Sequence, residues 1–214
     1  NTDECGMPEL FTGGAKLIGM PGAGAKLEVA TLEATLAQFV RGVHEVKPQA
    51  LSITQATELG TAYSIAEVKA LCDAAHAHGL YVHMDGARFA NAVAGLQCSP
   101  ADITWKAGVD VLSFGGTKNG ALMLEAVIFF NQKLAENFAY RRKRSGQLLS
   151  KGRYLGAQMQ AYLADDLWLH NARHANLMAQ RLGQGIAELP GCRVPLPVQA
   201  NEVFPILPKA LHAK

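Results

Sequence analysis

Long apolar runs are missing from this 214-residue chain. The longest, Ala126 to Phe130, falls far short of the ~20 residues an α-helix needs to cross a bilayer. Net charge is equally scarce. Twenty Lys and Arg against 18 Asp and Glu leave +2, too weak a field to imply nucleic acid or a membrane surface as partner. Cysteines are few and scattered: Cys5, Cys72, Cys98 and Cys192 show no C-x-x-C spacing. That argues against a zinc cluster or a small disulfide framework, and for buried free thiols in a reducing cytosol. The chain opens Asn-Thr-Asp-Glu, without the basic segment and apolar stretch of a secretory leader, so a cytoplasmic protein is expected. Residue 1 is not Met, and the natural amino terminus is expected upstream of it. No internal repeat or low-complexity tract is present.

What is there is an alternation of helical and strand-like stretches, the signature of βαβ units on a parallel sheet. With 49% apolar residues, the chain can bury one large core, or a core plus the start of another domain. Leu27 to Val43 places Val29, Leu32, Leu36, Phe39 and Val43 at helical spacing, and Ala50 to Ile53 reads as a strand. Ser64-Ile-Ala-Glu67 is a capping box opening a helix through His78 that Gly79 closes. The strand Leu80 to Met84 leads to Asp85. Ser99-Pro100 predicts a short helix to about Ala107, followed by the strand Val109 to Ser113 and a further buried strand from Leu122 to Phe130. Gln132 to about Arg144 and Arg153 to Leu189 then read as helices. Residues 190–208 hold five prolines, with Val203-Phe204 as a possible strand start. The expected organisation is a large domain over residues 1–150, connecting helices over 151–190, and the start of a small domain over 191–214.

The thirty-four residues from Asp85 to Lys118 hold the most informative pair in the chain. Each closes a short apolar stretch, so each is expected at the carboxyl end of a strand, where the ligand crevice of an open α/β sheet lies. A carboxylate beside a ring nitrogen and an amine able to form an imine with an aldehyde are what pyridoxal phosphate needs. Asp85 would keep the pyridine nitrogen protonated. Lys118 would be the imine-forming amine, its pKa lowered by desolvation and a neighbouring cation. Arg88, three residues past Asp85, is suited to clamp a substrate carboxylate or the cofactor's phenolic oxygen with its planar fork.

Other features have blander explanations. Six of the 20 Lys and Arg fall between Arg141 and Arg153, which a solvated helix face and turn explain; the alternative is a phosphate contact from Lys143 or Lys151 across a subunit boundary. Gly13-Gly14 and Gly19 to Gly24 lack the spacing of a phosphate cradle and fit a flexible loop. His76 and His78, two apart on a helix, diverge and share no metal; no metal site is expected. His83 reads as a packed residue behind the site.

Taken together, Tyr81-Val-His-Met-Asp-Gly-Ala-Arg-Phe-Ala-Asn91 and Asp110-Val-Leu-Ser-Phe-Gly-Gly-Thr-Lys-Asn-Gly120 resemble the low-specificity threonine aldolases, fold-type I pyridoxal phosphate enzymes. The likeness extends to Thr2 through Lys16, Gln55 through Thr61, and Arg141 through Arg153, nearly the whole chain. It implies an α/β fold with a mostly parallel, mixed sheet and helices on both faces, like the large domain of aminotransferases. It also implies retro-aldol cleavage of a β-hydroxy-α-amino acid to glycine and an aldehyde, in a homodimer or homotetramer. By motif, Lys118 matches the Schiff-base lysine, Asp85 the partner of the pyridine nitrogen, and Arg88 an arginine contacting cofactor or carboxylate.

This sequence departs from the family at several points. No histidine stands in the Thr57-Glu58 turn where some members carry one. The base for the β-hydroxyl is then Glu58, a bound water or a residue outside this chain. The family's chain is considerably longer. Its ring-stacking histidine, its upstream phosphate-gripping turn and its later carboxylate-binding arginine are absent here, so a piece of a longer enzyme is expected. The competing readings are β-elimination or racemisation with the same cofactor, and an inactive fragment that associates with a longer partner.

Overall fold

The computed structural model describes residues 4–211; Thr2 and Asp3 of the matched opening stretch and the last three residues of the 191–214 segment lie outside it. Four strands form one sheet: β1 (Ala50–Thr54), β2 (Tyr81–Gly86), β3 (Val111–Gly115) and β4 (Glu125–Phe129). They lie in the order 1-2-3-4, the first three parallel and β4 antiparallel to β3. The helices are α1 (Met7–Phe11), α2 (Val29–Leu36), α3 (Ile65–Ala77), α4 (Phe89–Leu96), α5 (Phe138–Arg144), α6 (Arg153–Leu163) and α7 (Leu167–Ala187). The α/β class and the mostly parallel, mixed sheet agree with the reading of the sequence. Each parallel step carries its crossover helix, α3 between β1 and β2 and α4 between β2 and β3, as parallel pairing requires.

Strand alternation divides the sheet into two unlike faces. Leu51, Ile53, Val82, Met84, Leu112 and Phe114 point one way and are buried with Leu32 of α2, Val68 and Leu71 of α3, Phe89 of α4 and Trp168 of α7. At about 1.5–3 kcal/mol for each large apolar side chain buried, this face holds the sheet together. Ser52, His83, Asp85 and Ser113 point the other way, in the register Ser52↔His83 and Asp85↔Ser113, and this face is open or half-buried among the described residues.

The capping box forms as read, with Glu67 N–H donating to Ser64 Oγ at 3.2 Å and Ser64 N–H to Glu67 Oε2 at 2.7 Å. Several other elements depart from expectation. The helix expected to reach Val43 stops at Leu36, because Val40 and Val43 find no core and are 79% and 97% exposed. Ser99 to Ala107 is turns closed by a single 3-10 turn at Trp105–Ala107, since Thr104 takes a non-helical backbone (φ −123°, ψ −110°) and its hydroxyl donates to Pro100 O. Gln132 to Arg144 divides at Asn137 (φ +61°), and the long helix from Arg153 divides at Asp165 and Asp166, both left-handed, a conformation Asp and Asn tolerate. The strand at 122–130 is shorter and lies at the sheet edge, mostly exposed rather than buried. Val203-Phe204 starts no strand; the segment makes only an isolated antiparallel bridge, Arg193 with Ile206. All four cysteines are free, Cys72 and Cys192 buried as expected but Cys5 exposed. No helix among the described residues is long and apolar enough to cross a membrane.

Candidate active site

β2 ends at Asp85-Gly86 and turns through Ala87 to Arg88, which heads α4. Asp85 Oδ1 accepts a hydrogen bond from Ala87 N–H at 2.9 Å, while Oδ2 has no hydrogen-bond partner among the described residues. Arg88 Nη2 lies 2.6 Å from Glu202 Oε1, in an ion pair that is mostly buried. On the neighbouring strand, β3 ends at Gly115, and Lys118 stands exposed in the 3-10 turn Thr117–Asn119. Its amine has no ion pair among the described residues.

The backbone carrying Lys118 is tightly held. Thr117 Oγ1 accepts from Leu124 N–H at 3.0 Å, and Gly116 N–H donates to Leu124 O at 2.8 Å. Buried Asn119 donates from Nδ2 to Tyr162 Oη at 2.6 Å and to Trp168 O at 2.8 Å, and its own carbonyl accepts from Asn171 Nδ2 at 3.0 Å. Below both turns, the Phe89 and Phe114 rings meet edge-on at 6.0 Å, and each packs on Trp168. One aromatic cluster therefore supports the turn after β2 and the turn after β3.

Two glycines let these turns approach. A Cβ on Gly86 would lie 2.5 Å from Ser113 O; one on Gly115 would lie 3.0 Å from Ala87 Cα and 2.9 Å from Glu125 Oε2. Behind Asp85, His83 bridges three strands, Nδ1 to Ser52 Oγ at 2.8 Å and Nε2 to Ser113 Oγ at 2.9 Å. Burial pulls the His83 pKa down against the opposing pull of Asp85. The ring is thus neutral near pH 7, donating to one hydroxyl and accepting from the other.

The structure brings Asp85, Arg88 and Lys118 to adjacent strand ends. Glu58, exposed in the turn after β1, is near enough for its charge to act on Glu202. Lys143 and Lys151 are exposed outside this cluster. His76 and His78 diverge onto different acids, Asp110 and Glu33, and no metal-holding group exists among the described residues. The reading of the sequence missed Glu202. Its one signal was that it is the only charge between Arg193 and Lys209.

A carboxylate and an amine stand in the turns that follow neighbouring parallel strands of an α/β protein, the end of such a sheet at which ligands bind. The chain belongs to the beta-eliminating lyase family, whose model matches residues 1–209. It is 50% identical over 203 residues to low specificity L-threonine aldolases of Pseudomonas sp. (strain NCIMB 10558) and Pseudomonas aeruginosa, covering 95% of this chain and 58% of either relative. The chain thus spans little more than half the length of those curated relatives. Among solved structures it is similar to Leishmania major threonine aldolase, with a TM-score of 0.90 and 34% identity over 99% of this chain and 61% of that one. A putative L-allo-threonine aldolase from Listeria monocytogenes, at TM-score 0.69 and 19% identity over 94% of this chain and 52% of that one, shares the fold.

Proposed function

We propose that this chain carries part of the site of a pyridoxal phosphate-dependent aldolase that cleaves β-hydroxy-α-amino acids, of the threonine or phenylserine kind, to glycine and an aldehyde. The observation that carries this reading is the placement of Asp85, Arg88 and Lys118 at two adjacent strand ends. The 50% identity to two low specificity L-threonine aldolases supports it. The donor set fits the cofactor: Asp85 has an unfilled acceptor oxygen, Lys118 an exposed primary amine, and Arg88 a cation pinned by one nitrogen.

When bound, pyridoxal phosphate supplies a protonated ring that withdraws electrons from the substrate's α-carbon. Asp85, with Oδ2 unbonded, would hold the ring nitrogen in its protonated form. Lys118 would hold the cofactor through its amine, and its fixed backbone limits where that amine can reach. Arg88 holds an anionic group, the substrate carboxylate or the phenolic oxygen. Glu58 stands exposed beside the crevice as an acceptor for the β-hydroxyl proton.

We further place the whole protein in the cytoplasm, and infer a homodimer or homotetramer because apolar side chains are left almost bare, such as Leu122 at 90% exposure. Light scattering on the whole protein tests the assembly. Residues 1–150 are assigned to the cofactor-binding domain, 151–190 to connecting helices and 191–214 to the start of a smaller domain, whose first stretch packs back onto the turn after β1.

The test of the chemistry is borohydride trapping of added pyridoxal phosphate and, on unreduced protein, release of glycine and aldehyde from threonine. Wild-type protein is expected to trap cofactor covalently and Lys118→Ala to trap none. Wild-type trapping in the variant overturns the assignment of Lys118.

A further inference from the structure

Glu202 reaches the site from far along the chain, on a segment tied back to the turn after β1. Gln199 N–H donates to Gly60 O at 3.2 Å and Gln199 Oε1 accepts from Ala62 N–H at 3.0 Å. Gly60 makes the approach possible, since a Cβ there would lie 2.7 Å from Glu202 O. One carboxylate oxygen of Glu202 pairs with Arg88 at 2.6 Å; the other, Oε2, is buried and has no hydrogen-bond partner among the described residues. The side chains of Glu202 and Arg88 are only 18% and 16% exposed. Withdrawing an ionised carboxylate from water with one oxygen unbonded costs free energy that a surface pair would avoid. Burial accordingly pushes the Glu202 carboxyl pKa up and Glu58 adds to the rise, while Arg88 and Lys118 oppose it. Three charged groups of the crevice thus act on this one carboxylate.

We propose that Glu202 is a positioning residue of the site: its ion pair fixes the Arg88 guanidinium at the strand end. One nitrogen of the fork is engaged by Glu202, leaving the others for an incoming anion. The pairing stands on the geometry alone; that the anion is a substrate or cofactor group rests on the pyridoxal phosphate reading above.

Two measurements decide it. In cofactor-free protein, the carboxyl carbon resonance of Glu202 is followed against pH in wild type and in Arg88→Ala, with Arg88→Met as a bulkier replacement if the first fails to fold. Loss of the cation is expected to move the Glu202 midpoint upward. An unmoved midpoint overturns the pairing. In the cofactor-loaded whole enzyme, KM and kcat for a β-hydroxy amino acid are compared among wild type, Glu202→Gln and Glu202→Asp. Glu202→Gln keeps the shape and frees the Arg88 fork, so KM is expected to rise several-fold with a smaller change in kcat, and Glu202→Asp is expected to restore part of it, which a purely structural role would not do. A Glu202→Gln KM equal to wild type overturns the positioning role. Wild-type enzyme without turnover overturns the pyridoxal phosphate reading, and the resonance titration still decides the pairing.

Discussion

Asp85 and Asp110 stand at opposite ends of neighbouring parallel strands, and the fold treats their carboxylates in opposite ways. At the amino end of β3, Asp110 Oδ2 accepts from Val82 N–H at 2.8 Å and meets His76 Nε2 at 2.9 Å, and Oδ1 accepts from Asn131 Nδ2 at 3.1 Å. At the carboxyl end of β2, Asp85 has one backbone donor and an oxygen to spare. A saturated acid joins strands; an unsaturated one is available to a ligand. The same residue type at two ends of one sheet thus separates the part that builds from the part left open to a ligand.

The largest expected effect is on chemistry. Asp85→Asn should leave thermal stability within about 0.5 kcal/mol, because the Ala87 hydrogen bond can be kept. Turnover of β-hydroxy amino acid by the cofactor-loaded whole enzyme should nevertheless fall by several orders of magnitude, each tenfold equal to about 1.4 kcal/mol of lost stabilisation. Unchanged turnover would remove Asp85 from the site and collapse the contrast with Asp110.

Next in size is Phe114→Ala, expected to cost about 3–5 kcal/mol in denaturant unfolding, because it opens a cavity under both site turns. A loss below about 1 kcal/mol would mean that the aromatic cluster does not support them. Asp110→Ala should cost about 2–3 kcal/mol by leaving partly buried donors unpaired, with no specific effect on the pyridoxal chromophore.

Asp110 also sets a pH dependence. Burial pushes its pKa up, but the hydrogen bonds from His76, Val82 N–H and Asn131 together outweigh that and hold it below the usual carboxylate value. A depressed carboxylate stabilises the fold above its unfolded pKa of about 4, and that contribution is lost as pH falls through the lower folded value. Melting temperature should therefore drop on acidification through this window, and Asp110→Asn should flatten the slope. The smallest effect is expected from Ser52→Ala, below about 1 kcal/mol, since it removes one of two hydroxyl partners of a neutral His83. A larger loss would make the polar face structural as well.

The site was legible where chemistry and local pattern coincide. Asp85 and Lys118 each follow an alternating apolar stretch, so their position at strand ends can be read from the chain itself, and Ser64 with Glu67 encodes a helix start within four residues. What was illegible depends on distant partners. Val40 and Val43 continue a helical period, yet no core meets them and the helix ends early. β4 has the apolar run of a central strand, and only its antiparallel place at the edge leaves Val127 exposed. α4, rich in alanine and lacking a side-chain cap, gave no start signal; it is held by burial of Phe89, Ala92 and Val93. Glu202 is paired across more than a hundred residues by a proline-rich segment whose path no local rule determines.

The hydrogen atoms that stand in place of side chains at Gly86 and Gly115 set how closely the turns after β2 and β3 approach. With a Cβ at 115 already 3.0 Å from Ala87 Cα, one added methyl is enough to wedge the acid-bearing turn away from the amine-bearing one. The approach of these two turns is then fixed by backbone contact rather than by the side chains of Asp85 or Lys118, at two positions that have nothing to offer except their smallness.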